Sequence, residues 1–123
     1  MSKVLIVDDS ATAREMLGSI LRKLGMKVIE ARDGVEAKQL LQSDRPDLVV
    51  LDIIMPRMNG YDLCRWLKKM PDGEKIPILM CSSKGEEFDR YWGIKQGADA
   101  YITKPFHPSE LVHTVKSLLR NLA

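Results

Sequence analysis

Val4-Leu5-Ile6-Val7-Asp8-Asp9-Ser10 and Asp47-Leu48-Val49-Val50-Leu51-Asp52 are the stretches whose reading decides the fold. Each is a four-residue aliphatic run closed by acid. Runs of this kind, apolar at every position, read as strands buried on both faces of a parallel sheet. An acid at the end of such a strand cannot belong to the core, because an unpaired buried charge is too costly. Asp8, Asp9 and Asp52 must therefore point into a crevice beyond the strands' carboxyl ends. Lys104, which follows the short run Ala100–Thr103, can face the same crevice.

Working outward, strands alternate with helical patterns. Lys3–Asp8 reads as the first strand. A helix follows over Ala11–Leu24, with Ser10 as its N-cap and Gly25 as its stop. Its apolar positions Met16, Leu17, Ile20, Leu21 and Leu24 share one face. Met26–Ala31 is the second strand, and Asp33-Gly34-Val35-Glu36 resembles a capping box opening a helix to about Ser43. Asp47–Asp52 is the third strand, followed after Asn59-Gly60 by a helix over Tyr61–Met70 and a turn at Pro71-Asp72-Gly73. Ile76–Cys81 is the fourth strand, Glu86–Gln96 the fourth helix, Ala100–Thr103 the fifth strand. Pro108 opens a last helix reaching about Leu122, with Val112, Val115, Leu118 and Leu119 as its core seam.

Five strand–helix units in series demand a parallel sheet with right-handed crossovers. A closed barrel needs eight units, so the expected fold is α/β: a flavodoxin-like, doubly wound five-stranded sheet of order 2-1-3-4-5 with five helices, as one domain over residues 1–123. In that order the chain reverses between the first and third strands, where ligands bind. All three acids come from those two strands.

The composition, 45% hydrophobic and 29% charged, is that of a globular domain. No apolar stretch approaches the ~20 residues that span a bilayer, and no signal-peptide pattern is present, so a cytoplasmic protein without membrane contact is expected. The net charge is only +2, with both signs interleaved. No basic stripe or aromatic–basic motif points to nucleic acid. Cys64 and Cys81 lack a metal-binding or C-x-x-C spacing and read as reduced, partly buried thiols. His107 and His113 have no companions and read as surface or capping residues.

Two carboxylates ~4 Å apart repel by about 4 kcal/mol at an effective dielectric near 20. Three together ask for a cation or a raised pKa. Few hard oxygens with room for water suit Mg²⁺, and Mn²⁺ can substitute. Each acid alone has a plain explanation, Asp8 as a helix cap and Asp52 as the start of a loop. The group, together with Lys104, points to a metal and an anion.

Five segments sharpen this: Val4–Ser10, Asp47–Pro56, Asn59-Gly60, Gly97–Tyr101 and Thr103-Lys104-Pro105-Phe106. In order and spacing they closely resemble the response-regulator receiver family, across the whole chain and in its single-domain, CheY-like form. The resemblance implies that Asp52 accepts a phosphoryl group from a histidine kinase or a small donor such as acetyl phosphate. It implies that Asp9, Asp52 and the main-chain carbonyl of Ile54 bind Mg²⁺ directly, with Asp8 acting through water. Lys104 would pair with phosphoryl oxygens, Ser82 would be the switch hydroxyl, and Pro105 would follow a cis bond. Tyr101 matches the aromatic switch, or else packs at the strand edge on the fourth helix. The implied partner is a downstream protein bound by the face of helix 4, strand 5 and helix 5, with Trp92 on that face or in the core beneath it. Such a chain modifies only itself and is expected to be monomeric.

Some positions depart from the family pattern. Ser83 duplicates the hydroxyl at Ser82. Ile54, two residues past Asp52, is apolar where many relatives are polar, which is expected to slow attack by water on a phosphoaspartate. Lys84 can also influence that step. The stretch Phe88–Gly97 resembles receivers of type IV pilus motility and phototaxis systems, which implies a chemotaxis-like kinase. The competing readings are an aspartyl-phosphate phosphatase of the haloacid dehalogenase type, which expects a D-x-D motif, and a flavin- or nucleotide-binding module, which expects a phosphate-cradling loop after the first strand.

Overall fold

The computed structural model describes residues 2–120. Strands β1 (Lys3–Val7), β2 (Lys27–Ala31), β3 (Leu48–Leu51), β4 (Ile78–Ser82) and β5 (Ala100–Thr103) alternate with helices α1 (Ala11–Lys23), α2 (Gly34–Ser43), α3 (Gly60–Lys69), α4 (Glu87–Lys95) and α5 (Pro108–Arg120). Every strand pair is parallel, in the order β2-β1-β3-β4-β5, which is the expected flavodoxin-like sheet.

The aliphatic runs explain the centre of the sheet. Side chains alternate between its faces, and β1, β3 and β4 are buried on both. Leu5, Val7, Val49, Leu51, Ile78 and Met80 join one cluster with Ala37, Leu41, Leu63 and Leu67 of α2 and α3. Val4, Ile6, Leu48, Val50, Leu79 and Cys81 join the other with Leu17 and Leu21 of α1 and Leu111, Val115 and Leu118 of α5. Each buried Val, Leu, Ile or Met among them contributes about 1.5–3 kcal/mol. Strand β2, at the edge, is more exposed.

The helix starts follow local chemistry. Ser10 Oγ accepts from Ala13 N at 3.2 Å, Asp33 Oδ1 from Glu36 N at 2.9 Å, and Asn59 Oδ1 from Asp62 N at 3.0 Å. The expected box at Asp33 differs in one respect: the Glu36 carboxylate accepts from Arg32 N at 3.0 Å, one residue ahead of the cap. Gly25, with φ +83°, ends α1 in the left-handed region. His107 caps α5 through its carbonyl, which accepts from Glu110 N at 2.9 Å, and the rings of His107 and His113 lie on exposed residues. The expected last turn of α5 at Leu122 lies outside the described residues.

One boundary moves by two residues. Ile76 does not open β4; its N–H closes a 3-10 turn over Gly73–Lys75 by donating to Gly73 O at 3.1 Å. Pro77 has no N–H for the ladder, though its carbonyl accepts from Val49 N at 3.0 Å. The strand begins at Ile78 and ends at Ser82. Among the described residues no helix is long and apolar enough to cross a membrane.

Candidate functional site

Strands β1 and β3 deliver the three acids to one place. Beyond Val7 and Leu51 the ladder continues for one bond on each side: Asp8 N donates to Ala31 O at 3.1 Å and Asp52 N to Val7 O at 2.9 Å. Asp8, Asp9 and Asp52 each offer a carboxylate oxygen, and the three lie within 4.8 Å of one another. Asp8 is buried, at 2% exposure. Asp52 is half-buried and Asp9 exposed, so the cluster opens to solvent on the Asp9 side.

Main-chain donors fix the acids. Asp8 Oδ1 accepts from Ser10 N at 2.9 Å. Asp52 Oδ1 accepts from Ile53 N at 2.6 Å and from Ile54 N at 3.3 Å. Lys104, just past β5, supplies the cation: its Nζ lies 2.7 Å from Asp8 Oδ2 and 3.3 Å from Asp52 Oδ2. Burial by itself would lower the Lys104 pKa. The hydrogen bond to Asp8 and the charges of Asp52 and Asp8 outweigh it and hold the ammonium above its ordinary value. The Lys104–Pro105 bond is cis, as the resemblance implied.

Three negative groups against one positive leave the cluster short of cation charge. Hard carboxylate oxygens at this spacing, open on one side to water, form a donor set that fits Mg²⁺ or Mn²⁺. Asp8, Asp9 and Asp52 are the side chains that can hold such an ion. Ile54, whose N–H reaches Asp52, is 54% exposed.

Ser82 ends β4 fully buried, with its hydroxyl accepting from Lys84 N at 3.3 Å. That main-chain partner belongs to the β4–α4 loop and not to the acid cluster. Ser83 is exposed. Tyr101 is 8% exposed, and its hydroxyl donates to Lys84 O. Burial, with the nearby Tyr61 and Asp89, pushes its pKa up to about 12 despite the hydrogen bond to Ser82 and the charge of Arg90. It does pack under α4, where a Cβ on Gly93 would come within 3.0 Å of its ring. Lys84 Nζ is turned toward Asp89, at 3.8 Å.

Trp92 is not a core residue. It is 39% exposed and stacks on Phe88, with ring centroids 6.2 Å apart and planes 7° from parallel. Phe88, Tyr91 and Ile94 are at least half exposed, so α4 presents an apolar outer face. Cys64 and Cys81 are free and buried, and burial raises their thiols to about 11 and about 12, which leaves them unreactive.

Sequence reading missed three arginines. Arg14 Nη1 donates to Asp8 O at 2.7 Å while its Nε meets Glu30 Oε1 at 3.1 Å. Arg90 lies over the Tyr101 ring, 5.4 Å from its centroid, and donates to Thr103 Oγ1 at 3.0 Å. Arg57 pairs with Asp33. All three reach across elements, and no local pattern announces them. Gly60 has a clearer signal: a Cβ there would stand 2.2 Å from Asp52 O, so only glycine lets α3 start this close to the acid.

Comparison with known proteins agrees with this geometry. The response regulator receiver domain profile matches residues 4–116. Protein PilH of Pseudomonas aeruginosa is 38% identical over 119 residues, which are 97% of this chain and 98% of that protein. The alkaline phosphatase synthesis transcriptional regulatory protein PhoP of Bacillus subtilis is 42% identical over 118 residues, 96% of this chain and 48% of that protein. The chain spans about half the length of the transcriptional regulators it matches. Among solved structures, the chemotaxis protein CheY4 of Vibrio cholerae superposes with a TM-score of 0.91 at 34% identity, covering 97% of this chain and 99% of that one. The signal receiver domain of a histidine kinase from Syntrophus aciditrophicus gives 0.92 at 40% identity, covering 99% and 92%. A chain with this fold, this acid cluster and these relatives belongs to the response regulator receiver domain family of two-component signalling.

Proposed function

We propose that this chain is a phosphorylation-activated receiver, accepting a phosphoryl group on Asp52 from a histidine kinase and then changing the affinity of its α4–β5–α5 face for a downstream protein. The observation that carries the proposal is the bridging of buried Asp8 and half-buried Asp52 by the Lys104 ammonium, beside Asp9, at the carboxyl ends of β1 and β3.

Asp52 is the nucleophile. Its Oδ1 is held by two main-chain N–H groups, which leaves Oδ2 toward Lys104 and the incoming phosphorus. The new bond joins a carboxylate oxygen to phosphorus as the bond to the donor's nitrogen or oxygen breaks. Lys104 then exchanges its contact with Asp52 for one with a phosphoryl oxygen. Asp9, Asp52 and the Ile54 carbonyl would hold Mg²⁺ directly, with Asp8 acting through water, and the ion would supply positive charge to the transferring phosphoryl oxygens. Ser82 moves from the Lys84 N–H toward the phosphoryl group, and Tyr101 follows within the same loop contact. The apolar face of α4, with Trp92 and Phe88 on it, binds the target.

The likeness to Protein PilH along nearly the whole of both chains, and to a chemotaxis protein, favours a chemotaxis- or pilus-motility-type pathway. We also infer that residues 1–123 act as one monomeric cytoplasmic domain that makes no nucleic-acid contact, as the interleaved charge supports. Incubation with Mg²⁺ and acetyl phosphate tests the central claim by intact mass. The expected result is one phosphoryl group, labile to alkali and lost in Asp52→Asn. Steady hydrolysis of phosphomonoesters without a retained label would instead indicate the phosphatase reading.

A further inference from the structure

The loop from Ile53 to Asn59 carries the backbone of Ile54 from the phosphoacceptor to α3, and it is fastened at two points. Gly60 N donates to Ile53 O at 2.8 Å and closes its ends. In its middle, Met58 N donates to Pro56 O at 2.8 Å around Arg57, whose φ is +68°. A three-residue turn with a positive φ on a non-glycine residue is rare and strained. Such a conformation persists only where its surroundings hold it. Here the Arg57 guanidinium pairs with Asp33, whose side chain is 6% exposed and which also caps α2. Met58 lies against Gly34, where a Cβ would come within 2.9 Å of Met58 Cβ. The strained turn is therefore clamped to the start of α2, an element that contributes no group to the acid cluster.

We propose that Arg57 and Asp33 are positioning residues for the metal site: their ion pair holds the β3–α3 loop so that the Ile54 carbonyl stays in reach of an ion bound by Asp9 and Asp52. This rests on the metal-binding reading above. The anchor explains why an arginine occupies a position whose φ favours glycine. It also gives Asp33 two tasks that substitution can separate, because serine still caps a helix but offers no charge to Arg57.

The test is Mn²⁺ binding by the unphosphorylated protein, followed by the loss of the free-ion electron paramagnetic resonance signal. Wild type, Asp33→Ser, Arg57→Gly and the double variant are compared, with the thermal midpoint measured alongside. Removing a group that orients a ligand costs on the order of tenfold in metal affinity. Each single variant is expected to weaken Mn²⁺ by about that factor, and the double variant by no more than either single. Arg57→Gly relieves the strained φ and guards against a misfolded Asp33 variant. A bridge that serves only stability would move the midpoint and leave the Mn²⁺ affinity within about twofold of wild type, which overturns the inference alone. A wild-type protein that takes up no Mn²⁺ overturns the metal site and the inference with it.

Discussion

Asp9 is the exposed member of the acid cluster, and among the described residues it alone of the three has no ion pair with Lys104. Asp9→Asn therefore removes repulsion without removing attraction. The carboxylate oxygens lie within 4.8 Å, and at that distance each pair repels by about 0.9 kcal/mol at the dielectric of water and about 3.5 kcal/mol at an effective dielectric of 20. Exposure puts Asp9 near the first value. With two neighbours and some freedom for the side chain to turn away, about 1 kcal/mol of repulsion is relieved. For a domain of this size that raises the thermal midpoint by roughly 3–6 °C. The assay is thermal unfolding with chelator at low ionic strength. The gain should shrink in 1 M salt, where the screening length falls to ~3 Å. Mg²⁺ should reverse the ranking: it stabilises the wild type by about 2.7 kcal/mol at a hundred times its dissociation constant and the variant far less. A metal-free Asp9→Asn that melts below wild type, or that gains as much from Mg²⁺, refutes the reasoning.

Lys104→Met leaves Asp8 buried without its cation and should cost about 2–3 kcal/mol in urea unfolding, somewhat below a fully buried pair because Lys104 keeps some exposure. The Lys104 pKa is raised on folding, so its contribution is complete below the ordinary lysine value of 10.5 and is lost as pH rises through the folded value. Wild-type stability should fall in that window more steeply than that of Lys104→Met. Ile54→Asn should speed loss of the phosphoryl group, followed by intact mass, with little change in stability, because the side chain is 54% exposed; an unchanged rate removes Ile54 as a barrier to water. Tyr101 ionises near 12, so Tyr101→Phe should delete the highest-pH component of the ultraviolet tyrosinate titration, and a component near the ordinary value of 10 vanishing instead would show the ring to be solvated.

The sheet and the acid cluster were legible because one pattern encodes both. An apolar run long enough to cross a sheet, closed by a carboxylate, states where the strand ends and what stands there. Strand β4 was less legible, since Ile76 and Ile78 are equally apolar and only the intervening Pro77 and the preceding 3-10 turn decide which one enters the ladder. Trp92 could not be assigned from the sequence, because a helix of nine residues with apolar groups on several sides does not state which side is covered. The Arg57–Asp33 clamp was invisible for a different reason. Its members are 24 positions apart in two loops, and each looks locally like something else.

The salt bridge from Lys104 to Asp8 joins positions separated by 96 residues. In a chain synthesised from its N-terminus, Asp8, Asp9 and Asp52 all emerge long before the lysine that pairs with the carboxylates of Asp8 and Asp52. Parallel strands also gain no early help from a hairpin. The lysine that bridges Asp8 and Asp52 thus arrives only when β5 docks at the edge of the sheet. Completion of the site and completion of the sheet are one event, so a nascent or truncated chain lacking β5 lacks the cation that bridges Asp8 and Asp52.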